Sequence, residues 1–93
     1  MSLVVKQTNL FRKAAKRLPA QQKAVLDKAV RNIMRDPYLG ELKKGDLAFL
    51  RVYKFKLNKQ LLLLGYQYVE DTALLTLLKV GSHKNFYRDI KKG

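Results

Sequence analysis

The residues best equipped for chemistry lie near the end of the chain, in Gly81-Ser82-His83-Lys84-Asn85-Phe86-Tyr87-Arg88, which holds the only histidine. His83 and Tyr87 stand four residues apart, so a helix beginning near Ser82 puts them on one face, one turn from each other. That pairs two groups able to move protons. Lys54 and Lys56 alternate with apolar residues in Val52-Tyr53-Lys54-Phe55-Lys56-Leu57, so in a strand both lysines point to the same side. Brought together, the four groups suit metal-free cleavage of RNA. A base takes the proton of a 2′-OH, cations neutralise the in-line phosphorane, and an acid protonates the leaving 5′-oxygen. His83, whose side chain ordinarily titrates near neutrality, serves as either acid or base. Tyr87 is a good base only if cations such as Lys54, Lys56 and Arg88 favour its ionised form; otherwise it stacks on a base or positions the substrate. Each piece also has a plainer reading. A lone histidine near a helix start is more often a surface or capping residue, and paired lysines on an exposed strand commonly guard against aggregation.

Composition narrows the classes. The 93 residues make one domain, 1–93, and 47% hydrophobic content is that of a globular chain. The absence of cysteine excludes disulfides and thiolate metal sites, and with one histidine and 7 acids neither a metal site nor a cofactor is expected. The acids are scattered, and the five glycines form no phosphate-binding loop. Residues 1–6 are too short for a signal peptide and 61–64 far short of a membrane span, so the expectation is a cytoplasmic protein with no membrane partner. The net charge of +13 comes from 20 basic and 7 acidic residues spread along the chain without a basic tail. Such a field attracts polyanions: nucleic acid, a ribonucleoprotein particle or an acidic protein.

The elements that must position these groups follow from periodicity. Residues 2–6 read as a short strand, with Thr8 as the cap of a helix over 9–17 whose apolar positions Leu10, Phe11, Ala14, Ala15 and Leu18 recur at helical spacing. Leu18-Pro19 breaks it, and Pro19 suits the first turn of a second helix over 19–35, striped by Val25, Leu26, Ala29, Val30, Ile33 and Met34 and stopped by Asp36-Pro37. Residues 38–46 read as a loop, where Lys43-Lys44 is either a phosphate contact or a solvated pair. A strand is expected over 47–57, with Phe49, Arg51, Tyr53, Phe55 and Leu57 on one face and Leu50, Val52, Lys54 and Lys56 on the other. A hairpin at 58–60 leads to an apolar strand over 61–69, and a further strand over 73–80 ends at Gly81 before a short helix over 82–91. The expected fold is α+β: a small antiparallel sheet in the order β-α-α-β-β-β-α, an N-terminal helical hairpin packed on one face, and a short C-terminal helix.

The sequence also resembles the RelE/ParE superfamily of bacterial type II toxin-antitoxin toxins, and among them the RelE-like mRNA interferases. The resemblance covers nearly the whole chain and rests on Lys44-Gly45-Asp46-Leu47, Tyr53-Lys54-Phe55-Lys56-Leu57, Gly65-Tyr66 and above all the ending Val80-Gly81-Ser82-His83-Lys84-Asn85-Phe86-Tyr87-Arg88-Asp89. It implies a toxin that is an endoribonuclease, cleaving messenger RNA in the ribosomal A site and so inhibiting translation, with a cognate antitoxin as partner. It places phosphate-holding lysines at Lys54 and Lys56 and acid-base groups at His83 and Tyr87. Leu63 falls where RelE has an arginine, leaving Arg51, Lys84 or Arg88 to supply that cation. ParE-like relatives share the fold but inhibit DNA gyrase, and a third implied type is an inactive antitoxin-binding member.

Overall fold

In the computed structural model, residues 3–57, 59–82 and 86 are described. The chain opens with β1 (Val4–Gln7), followed by α1 (Asn9–Lys16) and α2 (Ala20–Arg35). After these come a two-residue strand β2 (Glu41–Leu42), a single 3-10 turn (Gly45–Leu47), β3 (Arg51–Leu57), β4 (Gln60–Val69) and β5 (Leu74–Ser82). The sheet order is β1-β5-β4-β3-β2, with β3, β4 and β5 an antiparallel meander and β1 parallel to β5. The α+β reading stands, and the sheet gains one strand, β2, inside the expected loop.

Capping begins α1: Thr8 Oγ1 accepts from the Phe11 N–H at 3.1 Å, satisfying one of the donors a helix start leaves free. The same hydroxyl donates to the Leu78 carbonyl at 2.6 Å, so the cap also pins the helix to β5. Phe11, Leu26, Ala29 and Ile33 form the apolar stripe of the two helices. They bury against Leu64, Tyr66, Leu75, Leu77 and Val80 on one face of the sheet. The opposite face carries a smaller cluster, Leu50, Val52, Leu63 and Phe86, with Leu47 and Leu78 packed beside it.

Two expected boundaries move. The strand expected over 47–57 begins only at Arg51. Gly45 adopts φ +68°, a backbone state open to glycine, and the Gly45 and Leu47 carbonyls then accept from the Ala48 and Leu50 N–H groups, so local turns replace a ladder. At the other end, β5 continues through Gly81 to Ser82, so Ser82 is strand and not the helix start that was expected. Gly81 pairs with Leu63 and Ser82 with Leu62, which extends the ladder past the glycine. Of the expected C-terminal helix only Phe86, which is helical, lies among the described residues.

Candidate functional site

The open face of the sheet can be laid out in rows from the strand register. Val52 pairs with Gly65 and Gly65 with Lys79; Lys54 pairs with Leu63 and Leu63 with Gly81; Lys56 pairs with Leu61. All of these residues share the face opposite the helices, as alternation places Tyr53, Phe55, Leu64 and Tyr66 on the other. Lys54 and Lys56 are exposed and stand together there, as their spacing requires. The strands β3, β4 and β5 hold four cations, Arg51, Lys54, Lys56 and Lys79, and no carboxylate.

Phe86 is fully buried on this face. It lies over Gly65 so closely that a Cβ there would stand 2.5 Å from the ring's Cζ. Glycine at 65 is therefore what lets the Phe86 ring seat on the centre of the sheet. Leu63, beneath the same cluster, is completely buried and supplies an apolar floor between Lys54 and Gly81.

Lys79 was not among the residues expected to act, and strict alternation explains why. Counting by twos from Leu75 and Leu77 sends residue 79 into the helical core. A bulge breaks that count: Tyr66 pairs with Leu77 and Gly65 with Lys79, so Leu78 is an extra residue. Lys79 thereby turns onto the face of Lys54 and Lys56, while Val80 returns to the core. It is 9% exposed, and its Cε lies 3.8 Å from where a Cβ on Gly81 would be, so the side chain runs along β5 into the Lys54–Leu63–Gly81 row. A lysine inside an apolar strand segment was the only signal available in the sequence.

Arg51 goes elsewhere. It lies opposite Tyr66, donates to the Gly40 carbonyl at 3.0 Å and stands 5.0 Å above the Tyr38 ring. The structure thus uses it to clamp residues 38–40 and does not bring it to the lysine face. Lys43 pairs with Glu41 at 3.6 Å at the rim beside Val52, and Lys44 is exposed just before the 3-10 turn. His83, Lys84, Tyr87 and Arg88 lie outside the described residues. Among the described residues, no three His, Cys, Asp or Glu side chains gather where they could hold a metal, and no helix is long and apolar enough to cross a membrane.

A concavity of about 670 Å³ lies on the helical side, where Arg12, Lys13, Lys16 and Lys23 outnumber the one lining carboxylate, Asp27. It is a second cationic surface, separated from the lysine face by the sheet and helices between them.

Residues 5–91 match the family described as ParE-like toxin of type II bacterial toxin-antitoxin system. No curated protein matches the sequence. Among solved structures, the fold is similar to a chain of the toxin-antitoxin complex RelBE2 from Mycobacterium tuberculosis, with a TM-score of 0.73 and 20% identity over 89% of this chain and 100% of that one. A chain of the intact Escherichia coli RelBE toxin-antitoxin complex gives 0.69 and 18% identity over 87% and 96%. The archaeal RelE-RelB complex from Pyrococcus horikoshii gives 0.62 and 17% over 88% and 96%. Identities this low speak to the fold alone.

Proposed function

Given that this chain belongs to the ParE-like toxins of type II bacterial toxin-antitoxin systems, we propose that it acts in the cytoplasm as a ribosome-dependent endoribonuclease of the RelE kind, cleaving messenger RNA without a metal. The observation that carries the reading is the pair Lys54 and Lys56, exposed side by side on β3 on the face of the sheet opposite the helices. Phe86, three residues from His83 and one from Tyr87 in the chain, is seated on that same face.

In this mechanism the scissile phosphate lies over the lysines, whose charges are matched to the extra negative charge of the phosphorane. One of His83 and Tyr87 removes the 2′-OH proton. The 2′-oxygen attacks phosphorus in line, the bond from phosphorus to the 5′-oxygen breaks, and the other group protonates that oxygen. The products are a 2′,3′-cyclic phosphate and a free 5′-OH. Lys84 and Arg88 add charge along the RNA path, with Lys43 and Lys44 at its rim. A shallow face with two proton-transfer groups gains most when another body orders the RNA, which favours messenger held in the ribosome over free RNA. Several of the structural neighbours come from toxin-antitoxin complexes. We propose the same class of partner here, an acidic antitoxin covering a cationic face.

The test is to add the protein to programmed ribosomes and map messenger cleavage by primer extension, with Lys54→Ala and His83→Ala alongside. Cleavage within the A-site codon, lost in both variants, is the expected result. Intact messenger from a protein that still arrests growth would transfer the reading to gyrase inhibition, for which the family's ParE-like description is the support. Intact messenger without toxicity would leave an antitoxin-binding member with no activity.

A further inference from the structure

We propose that the outer edge of β3 at residues 53–57 is a strand-docking site, taken by an extended segment of the antitoxin in which acidic and apolar residues alternate. This site gives the acidic antitoxin of the proposed function its place on the fold, and rests on that reading for the class of partner.

β3 is flanked on its outer side by β2, which covers only its first two residues, pairing Glu41 with Val52 and Leu42 with Arg51. Were that register to run on, Leu39 would stand opposite Lys54 and Pro37 opposite Lys56. Neither pairs there. The Leu39 N–H is given to the Asp36 carbonyl at 3.0 Å, and proline has no N–H. Among the described residues, no strand lies outside β3 at 53–57. The direction of its backbone groups follows from the covered end. The Leu50 carbonyl accepts from the Lys43 N–H at 2.9 Å across that outer side. Backbone direction alternates along a strand, and β3 pairs with β4 without a register shift, so the N–H and C=O groups of Lys54 and Lys56 point outward as well. They form an open edge about 17 Å long, of the kind to which an extended peptide adds as a further strand.

Side chains choose the occupant. Lys54 and Lys56 are exposed on one face of this edge, while Tyr53 and Phe55 are half-buried on the other, their rings stacked at 6.4 Å. A strand laid alongside sets alternate residues next to each pair. Carboxylates suit the lysine side, and apolar side chains suit the aromatic side. A second copy of this chain fits badly. In an antiparallel pairing of two such edges the lysines of both copies share one face, and each copy brings a net charge of +13. Charge complementarity therefore selects an acidic strand. Once bound, its carboxylates lie beside Lys54 and Lys56 and keep an RNA phosphate from them, so docking and inhibition are one event.

The probe is a short synthetic peptide alternating glutamate and valine. A lysine–valine peptide and a glutamate–valine peptide N-methylated along its backbone are the controls. Amide hydrogen exchange of the protein is followed by NMR with each peptide in excess. The glutamate–valine peptide should slow exchange at the Lys54 and Lys56 amides by about tenfold or more, and neither control should. Tyr53 and Phe55, whose amides face β4, should be protected with or without peptide. Lys54→Glu combined with Lys56→Glu should reverse the preference, so that the lysine–valine peptide binds instead. Unchanged exchange at Lys54 and Lys56 overturns the proposal, as does equal binding of the N-methylated peptide. Protection of those amides in concentrated protein without peptide also overturns it, because a second copy then holds the edge. On programmed ribosomes the bound peptide should stop messenger cleavage, and cleavage that continues with the edge occupied overturns the inhibitory role. A wild type that cuts no messenger removes the nuclease reading instead, and the exchange result still decides the docking site.

Discussion

At Tyr66 one hydroxyl holds a loop to the sheet. It donates to the Pro37 carbonyl at 2.7 Å and accepts from the Gly40 N–H at 2.8 Å, while the ring is wholly buried. Gly40 has to be glycine here, because a Cβ would stand 2.7 Å from that oxygen. Tyr66→Phe leaves a buried N–H and a carbonyl unpaired and should cost about 1–3 kcal/mol in urea unfolding. Burial raises the phenol's pKa above its ordinary value, with the Gly40 N–H and the Arg51 guanidinium pulling against it. The folded state thus holds the proton more tightly than the unfolded chain. The stabilisation is complete below about pH 10 and is lost as pH rises through the folded value. Stability curves of wild type and Tyr66→Phe should therefore approach one another above pH 10. Lys54 presents the opposite case. It is exposed, so Lys54→Ala should change stability by no more than about 0.5 kcal/mol while abolishing messenger cleavage. A large stability loss in that variant would mean that its inactivity comes from the fold.

Among the elements, β5 matters most, since it joins β1 to β4 and carries the bulge that decides where Lys79 goes. The extra residue, Leu78, has its carbonyl satisfied by the Thr8 hydroxyl that also caps α1. Thr8→Ala should cost about 1 kcal/mol for the cap, and more where the Leu78 carbonyl finds no other donor. Denaturant midpoints would measure it. The seat of Phe86 is equally specific. Gly65→Ala would drive a methyl group into Phe86 and bring it to 3.1 Å from Leu50 Cδ1, which should cost about 1–3 kcal/mol. On the nuclease reading it should also slow cleavage on the ribosome, with Lys54 and Lys56 left unaltered. Gly65→Ala protein that cleaves at the wild-type rate would show that Phe86's position is immaterial to the chemistry.

For the whole molecule, the net charge of +13 must be set against dimensions of 35 × 29 × 22 Å. Physiological salt screens charge over about 8 Å, so the helical groove and the lysine face act as separate cationic surfaces and not as one field. Reversing Lys13 and Lys16 to glutamate should slow association with ribosomes and flatten its dependence on salt, leaving single-turnover cleavage at saturation unchanged. Stopped-flow association alongside saturating cleavage would separate the two. A fall in the saturated rate would instead tie the helical groove to the chemistry.

Much of this was legible in the residues themselves. The two helices, their break at Leu18-Pro19, the cap at Thr8 and the shared face of Lys54 and Lys56 all follow from local periodicity, which depends only on neighbours along the chain. Family membership was likewise carried by short motifs at fixed spacing. What lay beyond the sequence came from contacts between distant segments. The onset of β3 at Arg51 depends on turns that satisfy the backbone locally, and β5 passes Gly81 because β4 continues to offer it partners. Arg51 was drawn to the Tyr38–Gly40 carbonyls and ring, which only the folded chain brings near. The side of the sheet to which Lys79 belongs turned on one bulge. A single unpaired residue reverses every later side chain, and nothing in the alternation of apolar and polar residues records where it falls.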